Sequence, residues 1–168
     1  MASQIHWRHW LTGNGLLLLL PALVFNLLLM PHLPVAYQAD IWDDVPNVIA
    51  VPEVVLRILV FAIPALMVFR GRGHRLRGGL ALFAMGSLIY AASWLLLIAY
   101  PDGSWAQSGL GFLAPAYTPA LWLAGLAMLM HNFAVPQRWY RRWMYGAVAA
   151  AFLGVHITHA ALVFSRLP

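Results

Sequence analysis

LALFAMGSLIYAASWLLLIAY, residues 80–100, runs for 21 residues without Asp, Glu, Lys or Arg. A segment of about 20 apolar residues at about 1.5 Å rise crosses the roughly 30 Å hydrocarbon core of a bilayer. Residues 110–130 and 144–164 are equally long and equally free of charge. Two less clean stretches precede them. Residues 13–30 are interrupted by Pro21 and Asn26, and residues 52–69 hold Glu53 and Arg57 in their first two turns and Pro64 inside. The pattern predicts an all-α polytopic membrane protein, a bundle of five transmembrane helices forming one integral membrane domain over residues 1–168.

Composition agrees. The chain is 62% hydrophobic and 9% charged, with a mean hydropathy of +0.76. A soluble domain carries about 25% charged residues, so a soluble fold is excluded. The N-terminal residues resemble a signal peptide in pattern, with Arg8 and no acid before the first apolar run. Pro31-His32-Leu33-Pro34 is a poor small-residue cleavage site, so the first span is expected to be retained. Cysteine is absent, which excludes disulfides, thiolate metal sites, iron–sulfur clusters and cysteine nucleophiles.

The net charge of +5 comes from ten arginines and five acids, with no lysine. Their placement orients the chain. Arg8, Arg70, Arg72, Arg75, Arg77, Arg138, Arg141 and Arg142 fall on one side of a five-span arrangement. Asp40, Asp43, Asp44, Glu53 and Asp102 fall toward the other, with Arg57 and Arg166. Short basic loops stay cytoplasmic, so the expectation is N-terminus inside, C-terminus outside, in a bacterial cytoplasmic (inner) membrane. The run Arg70-Gly-Arg-Gly-His-Arg-Leu-Arg then reads as a topology determinant in contact with anionic membrane lipids, not as a nucleic-acid patch. Trp7, Trp10, Trp139, Tyr140 and Trp143 mark one interface. Tyr37, Trp42, Tyr100 and Trp105 mark the other.

Polar residues within the spans are the candidates for chemistry, because ionisable groups at that depth face protein or a wet cavity. His156 and His159, in Gly-Val-His-Ile-Thr-His-Ala, share a helix face at i, i+3. They suit a haem, a pigment or a divalent metal through neutral imidazole, with His32 placed to meet His159 near the outer surface. The alternative is hydrogen bonding across helices, to a carbonyl or to Ser87, Tyr90 or Ser93. Asp40, Asp43 and Asp44 could form a hard-cation site on a short interfacial helix, or only a solvated acidic loop. Glu53 and Arg57 are four apart and pair with each other. With Trp94 and Trp122 they are candidates for lining a ligand cavity, although packing accounts for both tryptophans. Pro64 has no N–H, so the carbonyl of Val60 is freed. Gly146, Ala150 and Gly154 place three small residues on one stripe, where another helix can approach closely.

No Gly-rich phosphate loop, HExxH motif or Gly-x-Ser-x-Gly elbow occurs. The functional expectation is a small non-catalytic subunit or accessory protein of a larger membrane complex, with other membrane subunits as partners. The alternatives are a redox, pigment or metal-binding protein built on His156 and His159, and a binder or converter of a lipophilic ligand within the bundle.

Overall fold

The computed structural model describes residues 13–37, 42, 45–68, 73–130, 132–134, 137–141 and 143–167. It is all-α, and four of its helical segments are long and apolar enough to cross a membrane. Helix α1 spans Gly15–Leu29 and continues into a 3-10 turn, Met30–His32. Its start is set by Asn14, whose Oδ1 accepts from the Leu16 N–H at 2.7 Å, satisfying a donor that the first turn leaves open. A second 3-10 turn, Val35–Tyr37, follows. Helix α2 spans Asn47–Ala65 and strand β1 Met67–Val68. Helix α3 spans His74–Ala99, beginning beside Gly73, whose φ of 82° lies in the left-handed region that glycine tolerates.

The fourth apolar run is broken. After the short helix α4 (Ser104–Gln107), the run forms α5 (Gly109–Phe112), α6 (Ala114–Tyr117) and α7 (Pro119–Leu129). Pro115 and Pro119 lack the N–H that would bond four residues back, and the chain turns at Leu113 and Thr118. At the second turn the Ala114 carbonyl accepts from both the Thr118 N–H, at 3.0 Å, and Thr118 Oγ1, at 2.7 Å. The two prolines thus divide the run into three. Strand β2, Asn132–Phe133, leads to the last helix, α8, Trp143–Phe164.

Two other boundaries depart from the hydropathy reading. Helix α2 starts at Asn47 instead of residue 52, and α3 starts six residues before residue 80, taking in Arg75 and Arg77. Arginine is a good helix former. Apolarity therefore measures the part of a helix suited to lipid, and the helix itself runs on into charged sequence.

The principal helix contacts run in a ring, α1–α2–α8–α7–α3 and back to α1, broadest between α3 and α7. Glycine permits that closeness. A Cβ on Gly86 would lie 2.4 Å from the Trp122 backbone nitrogen, and one on Gly125 2.5 Å from that of Phe83. Leu19, Val60, Tyr90, Trp94, Trp122, Leu126 and Tyr145 fill the middle of the ring.

One end of the bundle is sewn together by backbone pairing. Strands β1 and β2 are antiparallel, with Met67 opposite Phe133 and Val68 opposite Asn132. Asn14 bridges to Val68, and its Nδ2 donates to the Ala65 carbonyl at 2.8 Å. The start of α1, the end of α2 and the end of α7 thus lie together. At the opposite end, the Tyr37 hydroxyl donates to the Phe112 carbonyl at 2.6 Å, and the rings of Phe112 and Phe164 lie 5.3 Å apart. That joins the chain after α1 to α5 and to the end of α8.

Candidate functional site

Glu53 is the centre of the polar interior. It stands six residues into α2, about 9 Å along the helix from Asn47, and its side chain is 3% exposed. Three donors converge on its carboxylate. Arg57, one turn later, donates from Nη2 to Oε1. His156 Nδ1 lies 2.8 Å from the same oxygen, and His159 Nδ1 bonds Oε2. The two histidines rise from one face of α8, the helix packed on α2, as their three-residue spacing requires.

The chemistry of the contacts fixes the imidazoles. An ionised carboxylate only accepts hydrogen bonds, so each Nδ1 carries the proton and each Nε2 of a neutral ring is left with a lone pair. His159 is buried, and its Nε2 has no hydrogen-bond partner among the described residues. Aromatic rings hold both imidazoles in place. Phe152, one turn before His156, stacks on it with ring centres 5.2 Å apart and planes 10° apart. Trp42 tilts over His159 at 5.1 Å. Trp42 in turn stacks with Tyr37 and Phe112, so an aromatic wall closes the outer end of the site. Burial pushes the Tyr37 phenol above the ordinary tyrosine value of 10.0. Beyond this wall an open cavity of about 680 Å³ is lined by Tyr37, Leu97, Gln107, Phe112 and Phe164 among others.

A second polar set lies across the ring. The Tyr90 hydroxyl donates to Asn26 Oδ1 at 2.7 Å, and Ser93 Oγ donates to the Tyr90 carbonyl at 2.7 Å. Phe25, Trp94 and Trp122 surround Tyr90, with ring centres 5.8–6.4 Å from it. The Nε1 atoms of Trp94 and Trp122 are buried without a hydrogen-bond partner among the described residues.

Several expectations change here. The Glu53–Arg57 pair forms as the four-residue spacing predicts. The histidines turn to Glu53 on α2, and not to Ser87, Tyr90 or Ser93 on α3, because α8 packs on α2 and a carboxylate is the stronger acceptor. His32 is exposed on its 3-10 turn and makes no hydrogen bond with His159 among the described residues. Asp40, Asp43 and Asp44 lie outside the described residues. Among those described, no group of three or more His, Asp or Glu side chains has the arrangement of a metal site. Trp94 and Trp122 are packed in the core and do not line the outer cavity. The stripe of Gly146, Ala150 and Gly154 is divided: Gly146 is half-buried, where a Cβ would lie 3.9 Å from Ala127 Cβ on α7, while Ala150 and Gly154 are exposed and a Cβ on Gly154 would meet nothing within 4 Å. Close approach is made instead by Gly86 and Gly125. Two contributors escaped sequence reasoning. Trp42 was read only as an interface marker, and Tyr145 was not singled out. Tyr145 donates to the Val60 carbonyl at 3.2 Å, the group that Pro64 frees.

Comparison with known proteins found no counterpart: no protein-family model, no curated protein and no solved structure matches the chain.

Proposed function

We propose that this chain is a small integral membrane protein with a proton-exchanging centre, Glu53–His156–His159, that serves a lipophilic ligand within the bundle. One observation carries the reading. A single buried carboxylate orders two imidazoles through Nδ1, so that both Nε2 atoms are poised as bases. A carboxylate that fixes the tautomer of a histidine is how proteins ready imidazole for proton transfer or ligation. Ionisable side chains are costly within a bilayer and are kept where they act. When Nε2 takes a proton, Nδ1 keeps donating to Glu53, and the carboxylate balances the new charge. No stable metal or haem ligation is needed for this chemistry.

The frame of the proposal is five crossings, the broken α5–α7 segment being the fourth, with the N-terminus inside and the C-terminus outside a bacterial cytoplasmic membrane. Two features support it. The backbone-paired end gathers the start of α1 and the ends of α2 and α7, as alternating crossings require. The arginine-rich linkers fall at that end.

The test is infrared difference spectroscopy of the full chain in liposomes as the pH of the medium is changed. Imidazole and carboxylate bands are expected to change together, and Glu53→Gln is expected to abolish the carboxylate band and alter the imidazole bands. Absence of any protonation change that depends on Glu53 would overturn the proposal.

A second reading, the accessory subunit of a larger membrane complex, draws support from the exposed Ala150 and Gly154. In that reading Glu53 and the histidines only clasp α2 to α8, and the same infrared experiment shows no change that depends on Glu53.

A further inference from the structure

The cavity beyond the aromatic wall has no part in the chemistry of Glu53. It lies at the end of the bundle opposite the paired strands, between the chain after α1, the end of α3, α4, α5 and the end of α8. At about 680 Å³ it falls within the range of small-ligand sites. None of the residues that line it is Asp, Glu, Lys, Arg or His. A charged ligand would meet no counter-ion on these walls, so a neutral one fits them better. The walls are largely apolar and aromatic. Phe112 stacks on Tyr37 with ring centres 4.6 Å apart, and Phe164 lies 5.3 Å from Phe112. Tyr37, Gln107 and Ser165 bring the polar side-chain atoms. Two of these have already committed their protons. The Tyr37 hydroxyl donates to the Phe112 carbonyl at 2.6 Å, and Ser165 Oγ donates to the Leu162 carbonyl at 2.8 Å. A hydroxyl has one proton and two lone pairs, so toward a ligand both oxygens can only accept. The Gln107 amide, a donor and an acceptor together, adds no net donor. Acceptors therefore exceed donors around the cavity, and the complementary ligand is one that donates.

We propose that this cavity binds a neutral lipophilic phenol, its ring among Phe112 and Phe164 and its hydroxyl donating to Ser165 Oγ. Ser165 is exposed at the end of α8, whereas the Tyr37 ring is stacked between Trp42 and Phe112, so the serine oxygen is the more open acceptor. A phenol supplies both things that the walls call for, a ring face and a proton to share. An aliphatic alcohol supplies the proton without the ring. A quinone supplies the ring but only acceptors, which the oxygens of Tyr37 and Ser165 could not serve. The inference goes beyond the proton-exchanging centre and does not depend on it, because Glu53, His156 and His159 do not line the cavity.

The experiment is equilibrium dialysis of tritiated para-octylphenol against the full chain in nanodiscs of neutral lipid, with empty nanodiscs measuring simple partition. Saturable, one-to-one binding above partition is expected. The methyl ether, para-octylanisole, keeps the ring and chain and loses the donor; it is expected to compete about tenfold less well. The anion para-octylbenzoate is expected to compete about tenfold less well too, for want of a cation. Ser165→Ala removes one acceptor at an exposed position and is expected to weaken binding about 3- to 10-fold, the range for one neutral hydrogen bond. Ala106→Trp fills the cavity and is expected to abolish binding; Ser165→Ala decides the matter if that larger change prevents folding. Uptake no greater than by empty nanodiscs, equal competition by the ether or the benzoate, or unchanged affinity in Ser165→Ala each overturns the proposal. Equal competition by the ether is also the result if the cavity takes any lipid chain. Phenol binding and the infrared change at Glu53 are measured separately, so either reading can fail alone.

Discussion

Single atoms account for how this bundle tolerates its own irregularities. Pro64 removes an N–H from α2, and the Val60 carbonyl it frees is buried; the Tyr145 hydroxyl, on α8, donates to it. Tyr145→Phe keeps the ring and removes the donor. It is expected to cost about 1–2 kcal/mol, the penalty for an unsatisfied buried acceptor, read from reversible unfolding in mixed micelles. Unchanged stability would mean that Val60 finds another donor. The freed carbonyl is legible from Pro64 alone, because the rule is local. Its partner is not, since Tyr145 is 85 residues away. The same division runs through the candidate site. The Glu53–Arg57 pair follows from a spacing of four, while the meeting of Glu53 with His156 and His159 depends on which helices become neighbours.

Between helices, small residues have two different fates. Four-residue spacing on α8 says that another backbone could come close, not that one does. Gly154 faces open space, and the closest packing lies between α3 and α7 at Gly86 and Gly125. Gly125→Ala would place a Cβ 2.5 Å from the Phe83 nitrogen and 2.8 Å from the Gly79 carbonyl oxygen. Backbone atoms cannot swing aside as side-chain ends do, so a loss of about 1–3 kcal/mol is expected. Gly154→Leu is expected to leave the isolated protein within about 0.5 kcal/mol of the wild type. A large loss for Gly154→Leu in a monomer, or none for Gly125→Ala, would contradict this packing. The broken fourth run teaches a related lesson. Hydropathy reads nothing of its division, which comes from the hydrogen bonds that Pro115 and Pro119 cannot make.

Across the whole molecule, the five-crossing arrangement is a proposal that joins the charge pattern to the backbone-paired end. Reporter fusions test the proposed topology directly. A fusion after Pro168 is expected to be active outside the membrane, and one near Arg75 inside; the opposite result at either point refutes five crossings. The separation along the chain of Glu53 from its histidines, 103 and 106 residues, also sets a timetable for biosynthesis. Glu53 enters the membrane with the second span, accompanied only by Arg57. Both imidazoles arrive only with α8. Until then the nascent chain carries a carboxylate that lacks two of its three donors.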